Sequence, residues 1–189
     1  MCWSANGSLS TWAVAMALAA ASHGYDPKLW LFMVIFTQIQ LVEYFLWKNM
    51  KVPQLNALGS KAAALVLILE PLAAIYIIKN VELRNKMFMG YAVYLAALLM
   101  TQSFDFRTVI GGNGHLQWKW LPSWGLIVPW ILFLVVPFLI AGYYKSFAVA
   151  IATLLMSIYF FSKYGTVSSM WCWVAVFAWI LVFINHILG

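Results

Sequence analysis

The run from Leu29 to Trp47 is long enough to cross a bilayer, yet it carries a carboxylate near its far end. A spanning helix needs roughly 20 apolar residues, and an acidic side chain in lipid costs on the order of 3 kcal/mol or more. Glu43 shares one stripe of this helix with Gln40 and Trp47, because residues three or four apart fall on the same face. We therefore expect this stripe to face protein or water rather than lipid.

The rest of the chain has the same apolar character. Of its 189 residues, 65% are hydrophobic and only 8% are charged, whereas about 25% of a soluble domain is charged. This composition predicts an integral, multi-pass membrane protein with a single domain, residues 1–189. The net charge of +6 is typical of Lys and Arg in short loops at headgroup level. No basic run or basic helix face favours nucleic acid, so the expected partner is the lipid bilayer.

Seven apolar runs predict an all-α bundle of seven transmembrane helices. The predicted helices are 8–22, 27–47, 57–78, 87–104, 123–144, 145–163 and 166–188. The charged segment 79–86 is expected to be a solvated loop, and the segment 105–122 is a longer Gly-rich loop between helices 4 and 5. We call the face that holds the amino terminus side A and the opposite face side B. Seven crossings place the end of helix 2, the Gly-rich loop and the start of helix 7 on side A. Lys and Arg divide evenly between the faces, and only the basic segment 79–86 favours a cytoplasmic side B.

A second carboxylate lies deep in the predicted third helix, in the pair Glu70-Pro71, with no cation near it in sequence. Pro71 has no N–H, so the carbonyl of Leu67 loses its helical donor and a kink is favoured. A kink beside a buried carboxylate is typical of polar cavities in transporters and channels. In the alternative, Glu70 is a neutral packing group bonded to a neighbouring helix. Glu43 has the same two interpretations, and the two carboxylates together predict steps of one polar path.

Two cysteines and a histidine are predicted to gather on side A. Cys2 and Cys172 are the only cysteines of the chain, and His115 lies in the Gly-rich loop. Thiolate and imidazole groups suit zinc, copper or iron, so these three residues are candidate metal ligands. A disulfide and two reduced cysteines that only pack are the alternatives, because no CxxC spacing favours a metal.

The Gly-rich loop contains Gly111-Gly112-Asn113-Gly114-His115, which predicts a tight turn with positive φ and a small hairpin that caps the bundle. His115 and Trp118 would then lie over side A, as a lid, a ligand contact, an oligomer contact or a plain interfacial loop. No Lys-Ser/Thr follows the glycines, so the segment is not a phosphate-binding loop. The predicted seventh helix has no Lys, so a retinal Schiff base is not expected, and no cofactor is assigned.

Five sequence elements together resemble a family of small seven-helix membrane proteins of large DNA viruses and microbes. They are the opening MCWSANGS, QIQLVEYFLWKN in the second predicted helix, Glu70-Pro71, the His115–Trp118 loop and SSMWCWVAVF. The resemblance implies the seven-helix topology and the grouping of these motifs. The family has no settled activity, so no reaction is implied. Gln-Pro is common in the family where this chain has Glu70-Pro71, so no shared carboxylate is implied there.

Three functions fit these features. The first is a channel or permease for protons, cations or a small solute, with a pathway that involves Gln40, Glu43, Glu70, His115 and Trp118. The second is a membrane-embedded binding protein or enzyme with a metal or cofactor on side A. The third is a structural subunit of a larger membrane complex. Alanine-rich faces of the first and third helices allow close packing within the bundle or in a homo-oligomer. The intramembrane carboxylates favour the first function.

Overall fold

The computed structural model describes residues 4–22, 26–171 and 176, which form a helical bundle with one β-hairpin. Its elements are α1 (Ala5–Ser22), α2 (Pro27–Lys48), α3 (Pro53–Tyr76), α4 (Val81–Thr101), β1 (Thr108–Ile110), β2 (Leu116–Trp118), α5 (Trp124–Ile140), α6 (Tyr144–Phe161) and a 3₁₀ turn (Ser162–Tyr164). The chain is helical again at 167–171. Within the described part, α2, α3 and the segment Tyr144–Tyr164 are long and apolar enough to cross a membrane. These three helices support a membrane protein, and seven crossings remain a prediction.

The start of α2 agrees with the sequence. The side chain of Asp26 caps the helix by accepting from the backbone N–H groups of Lys28 and Leu29, at 3.0 and 3.1 Å. Pro27 occupies the first helical position, where its missing N–H is not needed.

The segment 79–86 is not the loop that the sequence predicted. The side chain of Asn80 accepts from the N–H of Leu83 at 3.0 Å and so caps α4, which begins at Val81. Glu82 and Lys86 then pair across one turn at 2.7 Å, on the exposed face of the helix. The charges therefore decorate the first two turns of a helix.

Other helix ends also differ from the prediction. α3 begins at Pro53 instead of 57, because proline is tolerated in the first turn of a helix. α4 ends at Thr101 and α5 at Ile140, three and four residues before the predicted ends. The seventh predicted helix lies mostly outside the described residues.

The first three helices pack antiparallel. On α1, Trp12 donates to the side-chain oxygen of Gln38 at 3.4 Å, and the hydroxyl of Thr37 on α2 donates to the sulfur of Met16 at 3.4 Å. α2 and α3 lie close together at Gly59, where an added Cβ would lie 2.7 Å from Leu46 Cδ2. Gly59 and Leu46 therefore lie at the same height along the bundle axis, and the heights of other residues on α2 and α3 can be counted from this pair.

The Gly-rich loop is a two-stranded antiparallel hairpin, in which Thr108 pairs with Trp118 and Ile110 with Leu116. Its turn contains Gly114 with a φ of 77°, which confirms the predicted turn with positive φ. The strands are an addition to the expected all-α fold class, and they agree with the small hairpin that the glycines predicted.

Side-chain amides tie this hairpin to the bundle. Asn56, in the first turn of α3, donates to the carbonyl of Thr108 and accepts from its N–H, both at 2.9 Å. On the other side, Asn113 donates to the hydroxyl of Thr166 at 2.8 Å, and the hydroxyl of Ser169 donates to the carbonyl of Leu116 at 3.0 Å. The start of α3, the hairpin and the segment after the 3₁₀ turn therefore lie together at one end of the bundle. The predicted helix count assigns this end to side A.

Candidate functional site

Polar side chains line the buried faces of four of the described helices. Buried polar residues on α1, α2, α3 and α6 are Ser8, Thr11, Thr37, Gln40, Glu43, Asn56, Ser60, Glu70, Ser146, Thr153 and Ser157. Polar groups inside a membrane bundle are costly unless they bond to one another or line a pathway. We call this set the polar interior, and it is the candidate functional site.

Glu70 is the most unusual member of the polar interior. Its side chain is fully buried, and neither carboxyl oxygen has a hydrogen-bond partner among the residues that the structure describes. The two ion pairs found in the same part of the chain join other residues. The hydrogen bond that a pure packing role would require is therefore missing from the described contacts. Glu70 lies six residues before the end of α3, about 9 Å from side B, and so nearer to side B than the middle position that the sequence predicted.

The backbone beside Glu70 is satisfied from neighbouring helices. Pro71 lies inside α3, and the carbonyl of Leu67 that it deprives of a donor accepts from Nε1 of Trp130 on α5 at 2.7 Å. The hydroxyl of Tyr91 on α4 donates to the next carbonyl, that of Ile68, at 3.0 Å. Neighbouring helices commonly re-satisfy carbonyls in this way at proline positions of membrane helices. Trp130 and Tyr91 thus hold α3 in place on the turn that carries Glu70.

Glu43 and Gln40 on α2 are also fully buried, in agreement with the expectation that their stripe avoids lipid. Together with buried Thr37 they place a polar side chain every three residues, about 4.5 Å of helix rise. Measured from the contact of α2 with Gly59, Glu43 and Glu70 lie about 12 Å apart along the bundle axis. Gln40 and Thr37 lie at levels between the two carboxylates.

Sequence reasoning missed the polar face of α6. Ser146, Ala150, Thr153 and Ser157 follow one another at spacings of four, three and four residues, and all four are buried. The hydroxyl of Thr153 accepts from Nε1 of Trp171 at 3.2 Å and donates to backbone carbonyls of its own helix. Small hydroxyl residues at helical spacing in an apolar run are the signal that would have found this face.

His115 and Trp118 lie under the hairpin rather than on its surface. His115 is buried, with its ring edge-on to Phe161 at 5.9 Å between centroids. Trp118 is buried and stacks on Trp120 at 5.3 Å. Both candidates therefore pack against aromatic rings at the hairpin end of the bundle.

Two cavities flank Trp130. One, of about 190 Å³, lies between α5, α6 and the cap and includes Trp118 and Trp171 in its wall. The other, of about 220 Å³, lies between α3, α4 and α5 and is almost entirely apolar. Glu43 and Glu70 line neither of these two cavities. Both carboxylates are nevertheless fully buried.

The candidate metal site is incomplete in the described part of the chain. Cys2 and Cys172 lie outside the described residues. No three His, Cys, Asp or Glu side chains come together in 4–22, 26–171 and 176. His115 is thus the one candidate ligand whose surroundings the structure describes, and the metal site remains a prediction.

Comparison with protein-family models, curated protein sequences and solved structures gave no match.

Proposed function

We propose that this chain is a multi-pass membrane protein, a seven-helix bundle that conducts protons through its polar interior by way of Glu43 and Glu70. The observation that carries the proposal is the burial of Glu70 without a hydrogen-bond or ion-pair partner among the described residues. Ionisable groups held in the membrane interior are, by default, functional sites. A carboxyl group in such a place accepts and releases a proton without a second charged residue.

The placement of the two carboxylates supports a route across the membrane. Glu43 lies five residues before the end of α2, about 8 Å from side A, and Glu70 lies about 9 Å from side B. Gln40 and Thr37 occupy the interval between them. On α1, Ser8 is buried at about the level of Glu43, because Trp12 contacts Gln38 one turn deeper.

The full burial of both carboxylates favours protons over larger solutes. A hydrated cation or a small metabolite requires a continuous open pore, whereas a proton passes between hydroxyl, carboxyl and single water molecules. The side chains of Glu43 and Glu70 are both 0% exposed, so neither faces an open pore in this structure. The same burial makes the permease interpretation less favoured than proton conduction.

The test is proton flux into liposomes that contain purified protein and a pH-sensitive dye. A potassium gradient with valinomycin sets the membrane potential, and flux is compared among wild type, Glu70→Gln, Glu43→Gln and Glu82→Gln. Glu82 is the matched control, because its side chain is 78% exposed and pairs with Lys86 on the surface. We expect flux in wild type and Glu82→Gln and at least a tenfold loss in Glu70→Gln.

Two results would overturn the proposal. The first is a folded wild-type protein, monodisperse in detergent, that leaves the dye signal at the level of empty liposomes. The second is wild-type flux in both interior variants. Replacing potassium by a bulky organic cation on both sides, with the potential set by chloride, separates proton from metal-cation conduction.

A further inference from the structure

The charges on side B are unbalanced. The chain has five Asp and Glu residues. Glu43 and Glu70 lie in the polar interior, and Asp105 lies on side A. Side B therefore has only Asp26 and Glu82. The cations at the same helix ends are Lys28, Lys79, Arg84, Lys86 and Lys145.

Two of these cations converge on one aromatic ring. Lys28 Nζ lies 5.2 Å from the ring centroid of Tyr76, and the guanidinium carbon of Arg84 lies 5.6 Å from it. Arg84 also donates to the carbonyl of Ile78 at 3.4 Å, which holds it at the end of α3. The attraction of each cation to the ring of Tyr76 stabilises its position there, but it does not cancel the repulsion between the positive charges of Lys28 and Arg84.

The two carboxylates of side B already have partners. Asp26 accepts from two backbone N–H groups of α2 and from the hydroxyl of Tyr143. Burial raises the pKa of Asp26, but these hydrogen bonds and the nearby charge of Lys79 outweigh it and hold the pKa below its ordinary value. Glu82 pairs with Lys86. No other side-chain carboxylate of the chain remains to neutralise the cations around Tyr76.

We propose that Lys28, Lys79 and Arg84 bind the phosphate headgroup of one anionic phospholipid, with Tyr76 as the floor of the site. The ends of α2 and α3 lie at headgroup level if these two helices span the bilayer, as their length and composition allow. Anionic headgroups attract basic side chains at this level, and a guanidinium offers paired donors to phosphate oxygens. Tyr76 is 42% exposed, so its surface is open to a lipid. The proposal does not depend on proton conduction.

The test is native mass spectrometry of delipidated protein in detergent, titrated with phosphatidylglycerol or with phosphatidylcholine of the same chain length. We expect one phosphatidylglycerol to bind before any phosphatidylcholine. Lys79→Gln and Lys28→Gln should each weaken this binding about fivefold, the factor for one cation near an anionic surface. Lys163→Gln is the matched control, because Lys163 lies 4.7 Å over the ring of Tyr164 on side A. It should leave binding unchanged.

Three outcomes would refute the lipid site. Equal binding of the two lipids would show that the charges are not recognised. An equal loss in Lys163→Gln would show a general charge effect. Displacement of the lipid by millimolar inorganic phosphate, with the same dependence on Lys79, would assign the site to soluble phosphate instead. Each variant is first shown to retain the wild-type thermal midpoint, so that weaker binding is not caused by unfolding.

Discussion

Replacing Trp130 by Phe removes the indole N–H that Pro71 makes necessary. In a regular helix the N–H of residue 71 would donate to the carbonyl of Leu67, and proline has none. The structure supplies Nε1 of Trp130 to that carbonyl at 2.7 Å, and both residues are only 9% exposed. The Trp130→Phe variant should therefore leave a buried carbonyl without a donor.

The destabilisation by Trp130→Phe has two sources, a lost hydrogen bond and lost packing. An unsatisfied buried acceptor costs about 1–3 kcal/mol, while hydrogen bonds between membrane helices are worth about 0.6 kcal/mol on average and up to about 1.7. The smaller ring also leaves space beside Trp171, whose ring lies edge-on to Trp130 at 6.1 Å. The packing loss occurs whatever residue is at 71, but the loss of the hydrogen bond does not.

A double-mutant cycle with Pro71→Ala separates the two losses. The alanine restores an N–H that donates to Leu67, so Trp130→Phe should cost about 1 kcal/mol less in the Pro71→Ala background than in wild type. The assay is unfolding by increasing mole fractions of dodecyl sulfate in mixed micelles, followed by helical circular dichroism. Trp120→Phe is the control, because its buried indole nitrogen has no hydrogen-bond partner among the described residues. Equal costs of Trp130→Phe in both backgrounds, within about 0.3 kcal/mol, would refute this reasoning.

Two further predictions concern helix contact and pH. Gly59→Ala should destabilise the protein by about 1–3 kcal/mol in the same unfolding assay, because its Cβ would overlap the side chain of Leu46 on α2. Gly90→Ala is the control and should cost nothing, because its Cβ would lie at an ordinary contact distance of 3.5 Å from Phe133. Tyr143→Phe should lower stability at pH 7 by about 1 kcal/mol, because the lost hydrogen bond stabilises ionised Asp26. The pKa of Asp26 is below its ordinary 3.8, so this stabilisation is complete above that pH and is lost as the pH falls through the folded-state pKa. Thermal midpoints of wild type and Tyr143→Phe should therefore begin to converge as the pH falls below 3.8 and should meet below the folded-state pKa of Asp26. The exposed variant Tyr144→Phe should match wild type throughout, and a constant gap for Tyr143→Phe would contradict the role of Asp26.

Local sequence signals predicted what local chemistry controls. Asp26-Pro27 indicated a helix start, the glycines around Asn113 indicated a tight turn, and Pro71 indicated a carbonyl without its donor. Each of these features depends on side chains within a few residues, and the structure agrees in each case. The predicted start of α4 was wrong because the prediction relied on apolar runs. Its first two turns carry charges, and the cap at Asn80 is what begins the helix.

Contacts between residues that are distant in sequence could not be predicted from local sequence patterns. The amide of Asn56 meets the backbone of Thr108, 52 positions later, and nothing in either local pattern indicates the pairing. Trp130 is 63 positions from the carbonyl that it satisfies. A proline in an apolar helix does predict that some donor must come from a neighbour. Which of the many aromatic residues provides it depends on helix packing.

The distance between Glu43 and Glu70 shows that these two carboxyl groups of the polar interior do not bond to each other. Carboxyl groups about 12 Å apart along the axis are too far apart to share one proton, so Glu43 and Glu70 do not stabilise each other as a bonded pair. Each must be accounted for by its own surroundings, and for Glu70 the described residues provide no bond. If proton transfer is the reason for both, the polar side chains at the intermediate levels, Gln40 and Thr37, are required as well. Thr37→Val should then reduce flux while both carboxylates are intact, a result that a packing role for the carboxylates does not predict.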